Sequence, residues 1–269
     1  MEIYLKKIKH VSFTLHSKIQ PYGRILPVST SLHMTSLHVF IISWAGQHEN
    51  AIKISNEVLA TKNTVSIVYS DPDPELRLNA TCQLIKRPNE LFWENKFKSC
   101  LDVCGDNPIL IIHADCKCDD WSVVVESCLN STSKDKRIGV WAPNISGTYY
   151  DLDMVRIGDI SDSNLKVVAL TDAIIFYLSS DVVARMRKIN YNDNPFGWGI
   201  DILFCAYAHV LDYLVVMDED IRVIHPKLRG YDDDKARSGM MNFAKQFSHR
   251  ERIQAKLLLS FVKFNYSKI

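Results

Sequence analysis

The chain has 269 residues, 47% of them hydrophobic and 23% charged, enough to bury a sizeable core as one large domain or two closely joined ones. Lys plus Arg number 32 against 31 for Asp plus Glu, a net of +1. That balance argues against a dedicated nucleic-acid surface.

Residues 1–36 are rich in Ser, Thr and His without a clean period and read as an N-terminal extension. They lack the continuous apolar core of a signal peptide. No run of about 18 apolar residues occurs anywhere, so no transmembrane helix is expected and the chain reads as cytosolic. From His38 the pattern turns regular. "LHVFIISW" (37–44) predicts a buried strand, residues 46–62 a helix, and "TVSIVYS" (64–70) a second strand broken by "DPDP". "ATCQLIK" (80–86) predicts a third strand and residues 88–104 a helix with Pro88 near its start. "PILIIHAD" is the next strand. Residues 119–130 form a helix whose acids suit its first turn, and "RIGVWAP" (137–143) another strand. Residues 144–164 are polar and turn-rich. Residues 171–189 predict a strand and then a helix capped at Ser179 or Ser180. Residues 190–201 form a loop into the helix "IDILFCAYAHVL". Residues 212–234 suggest two short strands around an acidic turn, and a helical, mildly basic tail follows from Lys235.

Continuous apolar strands alternating with helices predict an α/β layer with a mostly parallel sheet flanked by helices. The expected organisation is an extension (1–36), a main domain (37–234) and a helical tail (235–269). In such sheets ligands bind beyond the carboxyl ends of the strands.

The strand Ile109 to Ile112 delivers His113 and Asp115 to that edge. A hard divalent cation needs several converging ligands. Asp115 offers an anionic oxygen, and in extended geometry His113 faces the same way. His225, from a distant segment, can close the set. On pattern alone the plainer reading is that Asp115 caps the following loop or helix and His113 is a satisfied core histidine. Gly197-Trp198-Gly199-Ile200-Asp201 sets an aromatic between two flexible residues, before a carboxylate at a helix start. The indole can stack on a sugar and the carboxylate can accept a hydroxyl proton, or Asp201 simply caps its helix. The seven cysteines include Cys116-Lys117-Cys118 and the pair Cys100 and Cys104. Their odd number and apolar settings favour buried or free thiols in a reducing compartment over disulfides or a zinc site.

The order of these pieces resembles the GT-A fold of nucleotide-sugar-dependent glycosyltransferases, especially bacterial inverting enzymes, over roughly residues 38 to 232. The resemblance implies that "HVFIISWAG" ends at the nucleotide, which places Ser43, Trp44 and Ala45 there, and that Asp71 or Asp73 contacts the base or ribose. It matches His113-Ala114-Asp115 to the family's Asp-x-Asp, which holds a divalent metal against the diphosphate. It makes Asp201 the general base, with Trp198 and Gly199 on the acceptor side, and His225 a further metal ligand. Lys227 and Arg229 follow His225 and are candidates for the diphosphate, with a solvated face as the plainer reading for each. The departure is His113 in place of the first Asp; a nitrogen ligand shifts the expected metal from Mg2+ towards Mn2+. The implied reaction is inverting transfer from a nucleotide sugar, with a UDP-sugar as the expected donor. The acceptor is then a saccharide or lipid-linked saccharide of a bacterial surface glycan. The basic and apolar residues of 248–269 suit either packing on the domain or contact with an anionic membrane, at its cytoplasmic face. The rivals are a nucleotidyltransferase, which the single glycine of "SWAGQHEN" disfavours, and a catalytically degenerate GT-A domain that only binds.

Overall fold

The structure is a computed structural model that describes residues 36–226 and 232–268. The 1–36 extension therefore lies outside the described residues except for Ser36, and so do Lys227 and Arg229. Among the described residues, nine strands form one sheet: β1 (His38–Ser43), β2 (Thr64–Tyr69), β3 (Gln83–Lys86), β4 (Ile109–His113), β5 (Ile138–Ser146), β6 (Arg156–Asp159), β7 (Leu165–Val168), β8 (Ile175–Leu178) and β9 (Leu214–Ile224). Their spatial order is β3-β2-β1-β4-β8-β5-β9-β7-β6. β1, β2, β3 and β4 pair in parallel, as do β5 and β9; β8 lies antiparallel between the two groups, and β7 lies antiparallel to both its neighbours. Seven strands thus share one direction, and the mostly parallel α/β sheet is as the sequence implied.

The helices are α1 (His48–Leu59), α2 (Trp93–Val103), α3 (Trp121–Lys134), α4 (Leu152–Val155), α5 (Ser180–Met186), α6 (Ile200–Val210), α7 (Asp233–Phe243) and α8 (His249–Tyr266). They explain the continuous apolar strands, because both faces of the sheet are covered. Val39 and Ile41 of β1 join the core beneath α1 and α3. Phe40 and Ile42, facing the other way, join Phe97, Phe176, Leu203 and Leu258 beneath α2, α6 and α8.

Some elements differ from expectation. α2 begins at Trp93, because residues 88–91 close a turn through Leu91 N–H to the Pro88 carbonyl, 3.2 Å. Leu214–Ile224 make one strand, and the predicted acidic turn is a bulge within it: Pro143 pairs with Asp218 but Asn144 with Arg222. α4 and the edge strand β6 arise inside the stretch read as turns; Ile157 is the one buried residue of β6, so the strand carries no strand-like apolar pattern. α7 begins at Asp233, just before the expected tail boundary, and docks on the main domain through Gly239, which lies against Asp193 and Asn194.

Candidate active site

The carboxyl ends of β1, β2, β4, β5 and β9 open onto one cleft of about 1560 Å³. β4 delivers His113 and then turns. Ala114 N–H still bonds the Ile42 carbonyl at 2.9 Å, and Asn50 of α1 donates its side-chain amide to the Ala114 and Cys116 carbonyls. The chain next meets the end of β9, where Lys117 and Ile224 exchange backbone hydrogen bonds of 2.8 and 2.9 Å. His225 N–H bonds the Ser146 carbonyl at 3.0 Å. These ties bring residues more than a hundred positions apart together. His225 Nε2 lies 3.4 Å from Asp115 Oδ2, and ligand atoms of His113, Asp115 and His225 all lie within 4.8 Å of one another.

Burial alone would raise the Asp115 carboxyl, but the His225 hydrogen bond and the nearby imidazoles hold it below its usual range. Asp115 Oδ1 and His225 Nδ1 are buried and have no hydrogen-bond partner among the described residues. Buried polar atoms are rarely left so, and each of the two residues therefore keeps a donor atom that a cation could use. An oxygen and an imidazole nitrogen suit Mn2+, Mg2+ with less preference for the nitrogen, or zinc. The donor set therefore fits a divalent metal. His113 differs: Trp93 Nε1 donates to its Nε2, and burial pushes its imidazole down to about 4.

Across the cleft, Gly197 and Gly199 both have positive φ, 75° and 83°. A Cβ on Gly197 would meet Trp93 Cε3 at 2.3 Å, so the missing side chain is what lets Trp93 reach His113. Gly199 caps α6, and Asp201 sits two residues inside the helix; Asp201 is not the cap. Its carboxyl is pushed up to about 7, chiefly by burial and then by the charge of Asp172. The Tyr150 hydroxyl donates to it. Asp172 Oδ2 accepts from Thr148 Oγ1 at 2.5 Å, and Tyr150 N–H bonds Thr148 Oγ1 at 3.2 Å. One loop thus orients both acids.

Trp44, Ala45, His113, Asp115, Trp198, Gly199, Asp201 and His225 all line the cleft. Ser43 and Ala114 are buried behind it. Ser43 Oγ bonds His48 Nδ1 at 2.8 Å, and His48 Nε2 bonds Asp71 Oδ2 at 2.9 Å. Asp71 Oδ1 accepts from Asp73 N–H at 2.8 Å, and its neighbours Ser70 and Pro72 line the cleft instead. Sequence reasoning missed Trp93, Lys96, Tyr150 and Asp172. Lys96 is 4% exposed, with burial pushing its ammonium down to about 8. "TDAIIFY" signalled a strand, but only β8's reversed direction brings its leading Asp172 to this edge.

No family model matches the chain, and no curated protein does. Among solved structures, GalNAc-T7 with UDP, GalNAc and Mn2+ aligns at TM-score 0.55 and 9% identity, over 82% of this chain and 49% of that one. The chain thus spans about half the length of that protein. The mannosyltransferase PcManGT from Pyrobaculum calidifontis, in complex with GDP-Man and Mn2+, aligns at TM-score 0.52 and 9% identity, over 99% of this chain and 83% of that one. A UDP-glucose pyrophosphorylase complexed with UDP-glucose overlaps only at TM-score 0.47, too loosely to carry functional weight. At such identities the likeness is one of architecture: this chain has a GT-A-type fold.

Proposed function

We propose that the protein is an inverting glycosyltransferase that moves a sugar from a nucleotide sugar to a hydroxyl of a saccharide or lipid-linked saccharide. The observation that carries the reading is the pairing, in one cleft, of the Asp115 and His225 donor set with a half-buried carboxylate poised near neutrality, Asp201. Asp115 and His225 hold the cation, Mn2+ in preference to Mg2+ because one ligand is an imidazole. Such an ion neutralises the charge that builds on a departing diphosphate. Lys96 adds an ammonium on the same side, its hold on the proton weakened by burial. Trp44 and Ala45 flank the nucleotide, with Asp71 held by His48 behind them. Trp198 and Gly199 shape the acceptor side.

Asp201 removes the acceptor hydroxyl's proton as the oxygen attacks the anomeric carbon. A base with a pKa near the working pH does this best. Attack from the face opposite the leaving group, in one displacement, inverts the anomeric centre. A UDP-sugar donor and a role in bacterial surface glycan synthesis rest on the sequence resemblance. Exposed Ile253, Leu259 and Tyr266 on α8, beside its basic residues, support contact with an anionic membrane surface.

The test is nucleoside-diphosphate release from UDP-, GDP- and dTDP-sugars with and without Mn2+, with the product's anomeric configuration read by NMR. Mn2+-stimulated release with inversion is expected. A retained configuration removes the single displacement. Pyrophosphate release would identify a nucleotidyltransferase, and silence with every donor a binding module.

A further inference from the structure

Three side chains converge on the proposed cation, yet they are not equivalent. Asp115 Oδ1 and His225 Nδ1 are orphaned, whereas His113 Nε2 accepts the Trp93 indole N–H. An indole N–H can only donate. The atom that receives it must carry the lone pair, so in neutral His113 the proton sits on Nδ1. A metal needs a lone pair. On His113 the one lone pair points at Trp93, and the other nitrogen presents a hydrogen. We propose that His113 is not a metal ligand but a tautomer-locked hydrogen-bond donor, with Trp93 as its positioning residue and the cation held by Asp115 and His225.

The clasp is built into the packing. Trp93 stacks on Phe97 with centroids 5.1 Å apart, and its ring fills the space that a Gly197 side chain would take. Trp44 meets the His113 ring edge-on at 5.9 Å. Rotating His113 to offer Nε2 to a metal would strand the indole N–H, and a buried donor without a partner is destabilising. With two protein ligands, most coordination positions fall to water and to the diphosphate, so the cation binds weakly until nucleotide arrives. This last consequence rests on the glycosyltransferase reading; the tautomer does not.

The test has two arms on the full chain. Long-range 15N–1H correlation of histidine-labelled protein, without metal, is expected to show His113 protonated at Nδ1. In Trp93→Phe that signature should shift towards the Nε2–H form. In the second arm, Mn2+ binding is followed by electron paramagnetic resonance, with and without UDP. His225→Ala should weaken Mn2+ at least about tenfold. His113→Gln, whose amide oxygen can still accept from Trp93, should leave Mn2+ affinity unchanged. An Nε2–H signal in the wild type overturns the proposal, and so does a loss of Mn2+ in His113→Gln equal to that in His225→Ala. If the wild type binds no Mn2+ with or without UDP, the donor-site reading fails, and the wild-type tautomer still decides the role of His113.

Discussion

At the second position of α6, Asp201 sits where the helix dipole favours its anion, yet burial and Asp172 outweigh the dipole and bring its carboxyl to about 7. The desolvation a base needs is therefore present before any acceptor binds. kcat/KM should fall as pH drops below about 7, because the working form is the carboxylate. Asp201→Asn should fold, bind donor and lose at least about two orders of magnitude in transfer rate; full activity would leave the mechanism without a base. The same shift has a stability signature of opposite sense. A carboxyl whose folded pKa exceeds its unfolded value binds more protons when folded, so it weakens the fold progressively as pH rises from about 4 to 7. Asp201→Asn should thus unfold at a higher temperature than wild type at pH 8 and at the same temperature at pH 4; equal midpoints at pH 8 would mean the carboxylate is well solvated. Asp115→Ala should remove Mn2+ stimulation while leaving the fold intact, and stimulated turnover in that variant would take the cation elsewhere.

Among the elements, α8 is tied down by charge as much as by apolar contact. Arg185 of α5 makes bonds of 2.6 and 2.9 Å to Glu251, which is 1% exposed and also completes the capping box with Ser248. Removing one partner of a buried pair strands the other, at a cost of about 3–5 kcal/mol. Arg185→Ala should lower the unfolding free energy read from a urea titration by that order, whereas a surface pair such as Lys98 with Asp102 is worth less than about 1 kcal/mol. Burial opposes the Glu251 anion, but Arg185 and Ser248 win and keep its carboxyl below the usual range. That stability is present at neutral pH and fades on acidification through the unfolded and then the folded pKa; an Arg185→Ala penalty as large at pH 3 as at pH 7 would sink the ion-pair account. Elements with strong apolar runs, such as β1, β4 and α6, were legible because burial on both sheet faces leaves a one-dimensional mark. β6 and α4 were not, because Arg156, Gly158 and Asp159 sit at a solvated edge and a single turn has no period to read.

The whole molecule assembles its cleft from distant pieces, and this limits what the chain order alone can reveal. His113 and Asp115 were readable as a strand ending in donors. That His225 would face them depended on the Lys117 to Ile224 bridge, and that Asp172 would face Asp201 depended on β8 running backwards between β4 and β5. Trp93 was hidden in a helix whose start the sequence misplaced. The same convergence predicts coupling between ligands. Asp115 follows β4 and His225 follows β9, on opposite sides of β8 and β5, so a cation bridging them and a diphosphate should favour one closed arrangement of both groups of strands. A ligand at one hundred times its Kd, binding only the folded state, adds about 2.7 kcal/mol. For a chain of this size each kcal/mol raises the midpoint by about 2–4 °C, so a bound nucleotide should raise it by roughly 5–10 °C. UDP with Mn2+ should shift the midpoint by more than the sum of UDP alone and Mn2+ alone, and Asp115→Ala should erase that excess while keeping the shift due to UDP alone. Shifts that simply add in the wild type would show that cation and nucleotide bind independently, and the bridging role of Asp115 and His225 would be lost.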